Sequence, residues 1–148
     1  MTRVHQARRR PMAWTCPNCG RQFGRSHQSH ECAPAMTLDE YFSTGPAHER
    51  PVFEAVMRCL ADAGPVHVEP VAVGIFLKNP RKFAELRPMQ RWVAVSFVLR
   101  RPAQHRTIVR KVIRFGDRYF HVANVARPAD LDETLCDLLV EAYEVAAD

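Results

Sequence analysis

The hydrophobic period of this chain changes at Gly64-Pro65, and that change narrows the architectures open to it. Upstream, over residues 47–63, Val52, Val56, Cys59 and Leu60 fall on one face of a 3.6-residue helix, with Phe53 and Met57 beside them. Downstream the period becomes two. Val66, Val68 and Pro70 alternate with His67 and Glu69, residues 71–77 run continuously apolar, and Val93, Val95, Phe97 and Leu99 form one face of a further strand. Residues 83–87 predict a short strand after an Asn79-Pro80 turn, and residues 107–115 and 118–125 flank Gly116-Asp117 as a hairpin. No helical pattern interrupts the strands, and parallel pairing needs a long crossover. The expectation is therefore an α+β domain with a mainly antiparallel sheet of four or five strands and helices on one face.

Two further helices frame this stretch. Thr37 and Glu40 have the capping-box spacing, in which hydroxyl and carboxylate satisfy each other's free backbone N–H groups, and Gly45-Pro46 ends the short helix they begin. After Pro128, Asp130 and Glu133 can cap a last helix lined by Leu131, Leu135, Leu138 and Ala142, whose other face is acidic. The 71–77 run is too short to cross a bilayer, so no membrane is expected as a partner.

Ahead of the domain lies a different kind of pattern. Cys16-Pro17-Asn18-Cys19-Gly20 is a C-x2-C pair in a turn-forming context, and His30 and Cys32 follow at C-x10-H-x-C spacing. Zinc takes four tetrahedral N/S ligands, and two thiolates from one tight turn plus a second pair complete such a shell with no open position. The expectation is one structural zinc ion held by Cys16, Cys19, His30 and Cys32. His27 is the alternative to His30, because His27 and Cys32 have the H-x4-C spacing of zinc knuckles. Residues two apart lie about 200° apart on a helix, so His30 and Cys32 cannot both bind from one regular helix. A thiol redox role for the C-x2-C pair lacks the βαβ context that chemistry uses. The domain expectation is thus a disordered basic leader over residues 1–13, a zinc hook over 14–35 and the α+β domain over 36–148.

The WTCPNCGRQFGRSHQSHEC string of residues 14–32 resembles the N-terminal piece of the bacterial domain-of-unknown-function 5655 family. VEPVAVGIF (residues 68–76), FAELRP (83–88) and RPADLDETLCDLLVEAY (127–143) are similar to that family's body. The resemblance favours His30 and Cys32 as ligands and implies no known reaction. It also marks a departure: many members carry a Lys and an Arg where this chain has Ala72 and Gly74, so a role resting on those charges does not carry over.

The net charge of +5 is segregated. Arg3, Arg8, Arg9, Arg10, Arg21 and Arg25 face one acid, Glu31, in residues 1–35, and the remainder is balanced. If translation starts at Met12, four of these arginines are lost and the charge falls to +1. Inside the balanced remainder, residues 78–127 carry thirteen bases and two acids. A basic stretch of this kind fits phosphate neutralisation, with Arg8, Arg9, Arg10, Arg21 and Arg25 as nucleic-acid contacts and Trp92, Phe97 or Tyr119 as stacking faces if exposed. The leading expectation is a non-enzymatic nucleic-acid-binding or regulatory module. The alternatives are a protein-interaction module docking through the hook and the acidic helix, or a small-ligand or enzymatic domain. In the last, Lys78, Arg87 and His121 would line one pocket, and His67, Glu69, Glu85 and His105 are further titratable candidates. Five cysteines without an apolar leader argue for a reducing, cytoplasmic setting and against a disulfide framework.

Overall fold

The computed structural model describes residues 14–17, 19–29 and 36–148. The fold is α+β, with a six-stranded sheet in which every pairing is antiparallel. In chain order come a two-stranded ribbon of β1 (Trp14–Thr15) and β2 (Gln22–Phe23), then helices α1 (Leu38–Phe42) and α2 (Glu49–Leu60). The main sheet follows as β3 (His67–Val71), β4 (Gly74–Lys78), β5 (Lys82–Pro88), β6 (Val93–Leu99), β7 (Ile113–Phe115) and β8 (Arg118–Val125). A 3-10 turn over Pro128–Asp130 leads into α3 (Glu133–Ala146). Strand order is β3-β4-β5-β6-β8-β7.

Alternation decides which face is covered. Ile75, Leu77, Leu86, Val95, Phe97 and Ala123 lie in register across β4, β5, β6 and β8 and are all buried. Helix α3 lies against β5 and β6, setting Leu135, Leu139 and Ala142 on that apolar face, and α2 packs on α3. A register irregularity between Leu77 and Lys78 leaves Phe83 without a ladder partner, which lets Phe83 and its neighbour Ala84 both be buried. Phe83 then meets Tyr143 of α3 edge to face, and the Asn79 amide donates to the Tyr143 carbonyl at 3.0 Å.

Several expectations change here. The run over 71–77 is not one strand: the chain turns at Ala72 and Val73, and β3 pairs back on β4 from Val71 opposite Gly74. A continuous apolar run hides such a hairpin because its two central turn residues, Ala72 and Val73, are not turn formers. Val73 is exposed at the tip. The strand expected over 107–115 is regular only at Ile113–Phe115. The last helix is capped by Asp132, whose carboxylate accepts the Leu135 N–H at 2.9 Å, while Asp130 accepts the N–H groups of Ala126 and Arg127 in the preceding turn. The Thr37–Glu40 capping box is present as expected.

Cys59 of α2 and Cys136 of α3 are joined in a disulfide, with Cα atoms 5.1 Å apart. Taken from sequence each is a lone helical thiol, because the contact spans 77 residues and depends on how the two helices pack. The pair departs from the expectation of unlinked cysteines in the two helices. Among the described residues no helix is long and apolar enough to cross a membrane.

Candidate nucleic-acid interface

The sequence-proposed pocket does not form. His121 sits on the helix-covered face, 0% exposed and stacked on Phe97 with ring planes 2° apart. Its Nδ1–H donates to the Tyr119 carbonyl at 3.0 Å and its Nε2 accepts the Ala103 N–H at 3.0 Å, which fixes the neutral tautomer. Burial, aided by the nearby Arg101 charge, pushes the imidazole below its ordinary value. Lys78 and Arg87 belong to the opposite sheet face, near different ends of β4 and β5. The parity of residues 119, 121, 123 and 125 carries the missed signal, since His121 shares a face with Ala123 and Val125.

Lys78 has a structural task instead. Its ammonium is ion-paired with Glu69 at 3.1 Å, donates to the Gln22 carbonyl at 2.7 Å and lies over the Phe23 ring at 4.6 Å. Glu69 in turn accepts the Gln22 N–H at 2.9 Å. One buried ion pair thus receives both backbone polar groups of a single hook residue, Gln22, as a neighbouring strand would. Burial alone would raise the Glu69 carboxyl, yet hydrogen bonds from His67, the Gln22 N–H and Lys78 outweigh it and hold it below the usual range.

The hook itself is thin. The Cys16 N–H donates to the Arg21 carbonyl at 2.9 Å and the Gly20 N–H to the Cys16 carbonyl at 2.8 Å, with Gly20 at φ +73° where the turn needs a left-handed residue. This closes the Cys16–Cys19 turn between β1 and β2. Its core is Cys16, Cys19 and Phe23, with Trp14 against them. Three such side chains make a small core, and the Glu69–Lys78 pair ties the ribbon to the main sheet. His27 is exposed, with its ring 5.1 Å from Trp14 and Nδ1 2.9 Å from the Ser26 hydroxyl. Among the described residues no three His, Cys, Asp or Glu side chains gather into a metal-sized group. His30, Cys32, Arg8, Arg9 and Arg10 lie outside the described residues.

One hydroxyl in the body is part of a polar chain. Thr107, His105 and Asp132 form a hydroxyl–imidazole–carboxylate chain, at 2.8 Å from Thr107 Oγ1 to His105 Nδ1 and 2.9 Å from His105 Nε2 to Asp132. Thr107 is 5% exposed, and the Asp132 carboxylate also caps α3, so the chain ties a loop to a helix end. The Tyr41 hydroxyl donates to buried Glu49, whose carboxyl burial holds above its ordinary value. His105 edges a shallow concavity shared with Arg106, Ile108, Arg110 and Val112, and both of its ring nitrogens are engaged by Thr107 and Asp132.

Basic residues behave differently along the chain. Arg100 pairs with Asp148, Arg101 with Glu141 and Arg106 with Asp130. Lys82 and Arg87 share Glu85. Arg110, Lys111, Arg114 and Arg118, around the β7–β8 turn, have no carboxylate within ion-pair distance among the described residues. The same segment exposes Val109 at 75%, Ile113 at 45% and Phe115 at 59%. Of the aromatics proposed for stacking, Phe97 is core, Tyr119 lies under the Arg114 guanidinium, and Trp92 is 37% exposed at the β5–β6 turn. Phe115 escaped sequence reading because strand aromatics are usually core. Arg21 is half-buried and Arg25 is exposed.

These features define a helix-backed antiparallel domain with a projecting basic and apolar hairpin. Residues 38–146 match the family model described as Domain of unknown function (DUF5655), and the chain belongs to that family. The match spans α1 to α3, and the hook precedes it. No curated protein and no solved structure matches the chain.

Proposed function

We propose that this protein is a non-enzymatic nucleic-acid-binding or regulatory module whose contact surface is the 109–118 hairpin. The observation that carries the reading is the set Arg110, Lys111, Arg114 and Arg118, which lack carboxylate partners among the described residues and sit beside exposed Val109, Ile113 and Phe115. Unneutralised cations displace condensed counterions from phosphates, and an exposed aromatic offers a face to a base. The N-terminal hook is closed by one structural zinc ion, for which Cys16 and Cys19 supply two thiolates and His30 and Cys32 the other pair. Zinc bound there would lock the turn, and Glu69 and Lys78 would seat the locked hook on the sheet.

The test of binding is anisotropy of labelled DNA and RNA titrated with the full chain. Replacing all four hairpin cations by Gln lowers the slope of log K against log salt by about 3 if each met a phosphate. Absence of binding at low salt, or a hairpin variant that binds as before, ends this reading; capture of a protein by the apolar trio would replace it. Elemental analysis checks the hook, with one zinc per chain expected and loss of it in the Cys16→Ser, Cys19→Ser double variant.

A further inference from the structure

Two adjoining concavities extend the basic surface beyond the hairpin. The first, of about 160 Å³, is walled by Arg118 at the start of β8 together with Arg81, Lys82, Phe83 and Val98. The second, of about 610 Å³, lies between hook and sheet, walled by Phe23, Arg25, Lys78, Pro80, Arg81 and Lys82. Arg81 and Lys82 belong to both, so the two open into a common wall. No Asp or Glu is among the residues lining either one.

The charges along this wall are only partly matched. Lys78 is committed to Glu69, and Lys82 must share Glu85 with Arg87, which leaves one positive charge over. Arg81 donates to the main-chain oxygen of Asp148 at 3.2 Å, and it still lines both concavities. Arg25 and Arg118 have no carboxylate partner among the described residues, and Arg118 Nη1 is buried without an acceptor. A buried donor left without an acceptor is destabilising, so an incoming acceptor there is favoured.

We infer that Arg118, Arg81, Lys82 and Arg25 form one track for the sugar–phosphate backbone of a single-stranded nucleic acid, running from the hairpin to the hook. This rests on the nucleic-acid reading and specifies its ligand. A single strand can bend into successive concavities, whereas a duplex is a stiff cylinder on the scale of one small domain. Phe115, exposed at the hairpin, supplies the stacking face that single-strand binding uses and duplex binding does not. The track also gives the hook a reason to be docked, since Arg25 reaches the wall only through it.

The experiment measures anisotropy for strands of about twelve and about four nucleotides, within the usual footprint of such grooves. Oligo-dT and oligo-rU arms are run beside a duplex of about twelve base pairs, against the full chain and three variants: Arg25→Ala with Arg81→Ala, Phe115→Ala, and the hairpin four-cation variant. Circular dichroism controls for folding. The track predicts that single strands bind more tightly than duplex, and comparison of the dT and rU arms identifies the preferred sugar. It predicts that the Arg25/Arg81 pair lowers the slope of log K against log salt by about 1.4 on the longer strand and leaves the four-nucleotide strand unchanged. It predicts that Phe115→Ala weakens single strands and spares duplex. Tighter duplex binding overturns the single-strand assignment. An inert Arg25/Arg81 variant beside a weakened hairpin variant overturns the track and leaves the hairpin reading standing. Failure of both variants to change binding overturns the reading on which the track rests.

Discussion

The stretch from Arg100 to Arg118 divides into two halves of similar composition and opposite surroundings. In the first, Arg100, Arg101 and Arg106 each meet a carboxylate of the α3 region, at 3.2, 2.8 and 3.1 Å. In the second, Arg110, Lys111, Arg114 and Arg118 extend past the reach of α3, beside exposed Ile113 and Phe115. Glu141 on the last helix, with Asp130 before it and Asp148 after it, therefore neutralises the nearer half of the basic stretch. A charge count over the whole segment treats both halves alike, and only the farther half has charge to offer a partner.

The largest way to disturb this division is to free α3. Replacing Cys59 and Cys136 by Ser removes a link across 77 residues, which the chain-entropy account values at about 4.5 kcal/mol. Urea unfolding of the double variant should show a loss of that order, with hairpin affinity kept under native conditions. Unchanged stability would mean that the link does not hold the helices.

Next in size is Glu69→Gln, which leaves Lys78 buried beside a neutral partner and costs about 3 kcal/mol of hook docking. Hydrogen exchange at the Gln22 amide reads it directly, and the sheet's own amides should stay protected. The pH dependence has a definite sign. Because the folded Glu69 carboxyl titrates below the ordinary glutamate value, its contribution is fully present above that value and is lost as pH falls through the folded pKa. Exchange at Gln22 should rise on acidification, and the Gln variant should be flat over the same range.

The smallest effect belongs to Arg101→Ala. Its fork on Glu141 holds the guanidinium strongly protonated through hydrogen bonds and charge, but the pair is exposed, so thermal denaturation should register well under 1 kcal/mol. Nucleic-acid affinity should not move. A clear loss of affinity would place the nearer half of the stretch in the interface as well and erase the distinction between halves.

Much of the body was legible from residue order alone. The Thr37 box, the Gly64 stop and the strict alternation of Val93, Val95, Phe97 and Leu99 are local signals, and local signals survive folding. The sixth strand and the β3–β4 turn were hidden inside an unbroken apolar run, where Ala72 and Val73 turn the chain without the residues that usually mark a turn. His121 shows a different limit. Its chemistry advertised a site, while its parity with Ala123 and Val125 placed it in the core, and parity was the better guide. The Cys59–Cys136 link, the Glu69–Lys78 seat for the hook and the loss of partners beyond Arg106 depend on distances between elements remote in sequence. No periodicity encodes them.

Gly74 sets a boundary on what can be transferred between relatives. A Cβ at this position would collide with the Leu86 carbonyl oxygen, so β4 and β5 approach here only because a side chain is missing. An Arg at this position would require the two strands to sit at another spacing or in another register, so a role that needs a side chain here does not transfer onto this backbone. Swapping Gly74 for Arg would accordingly test backbone tolerance before it tested any role for the charge.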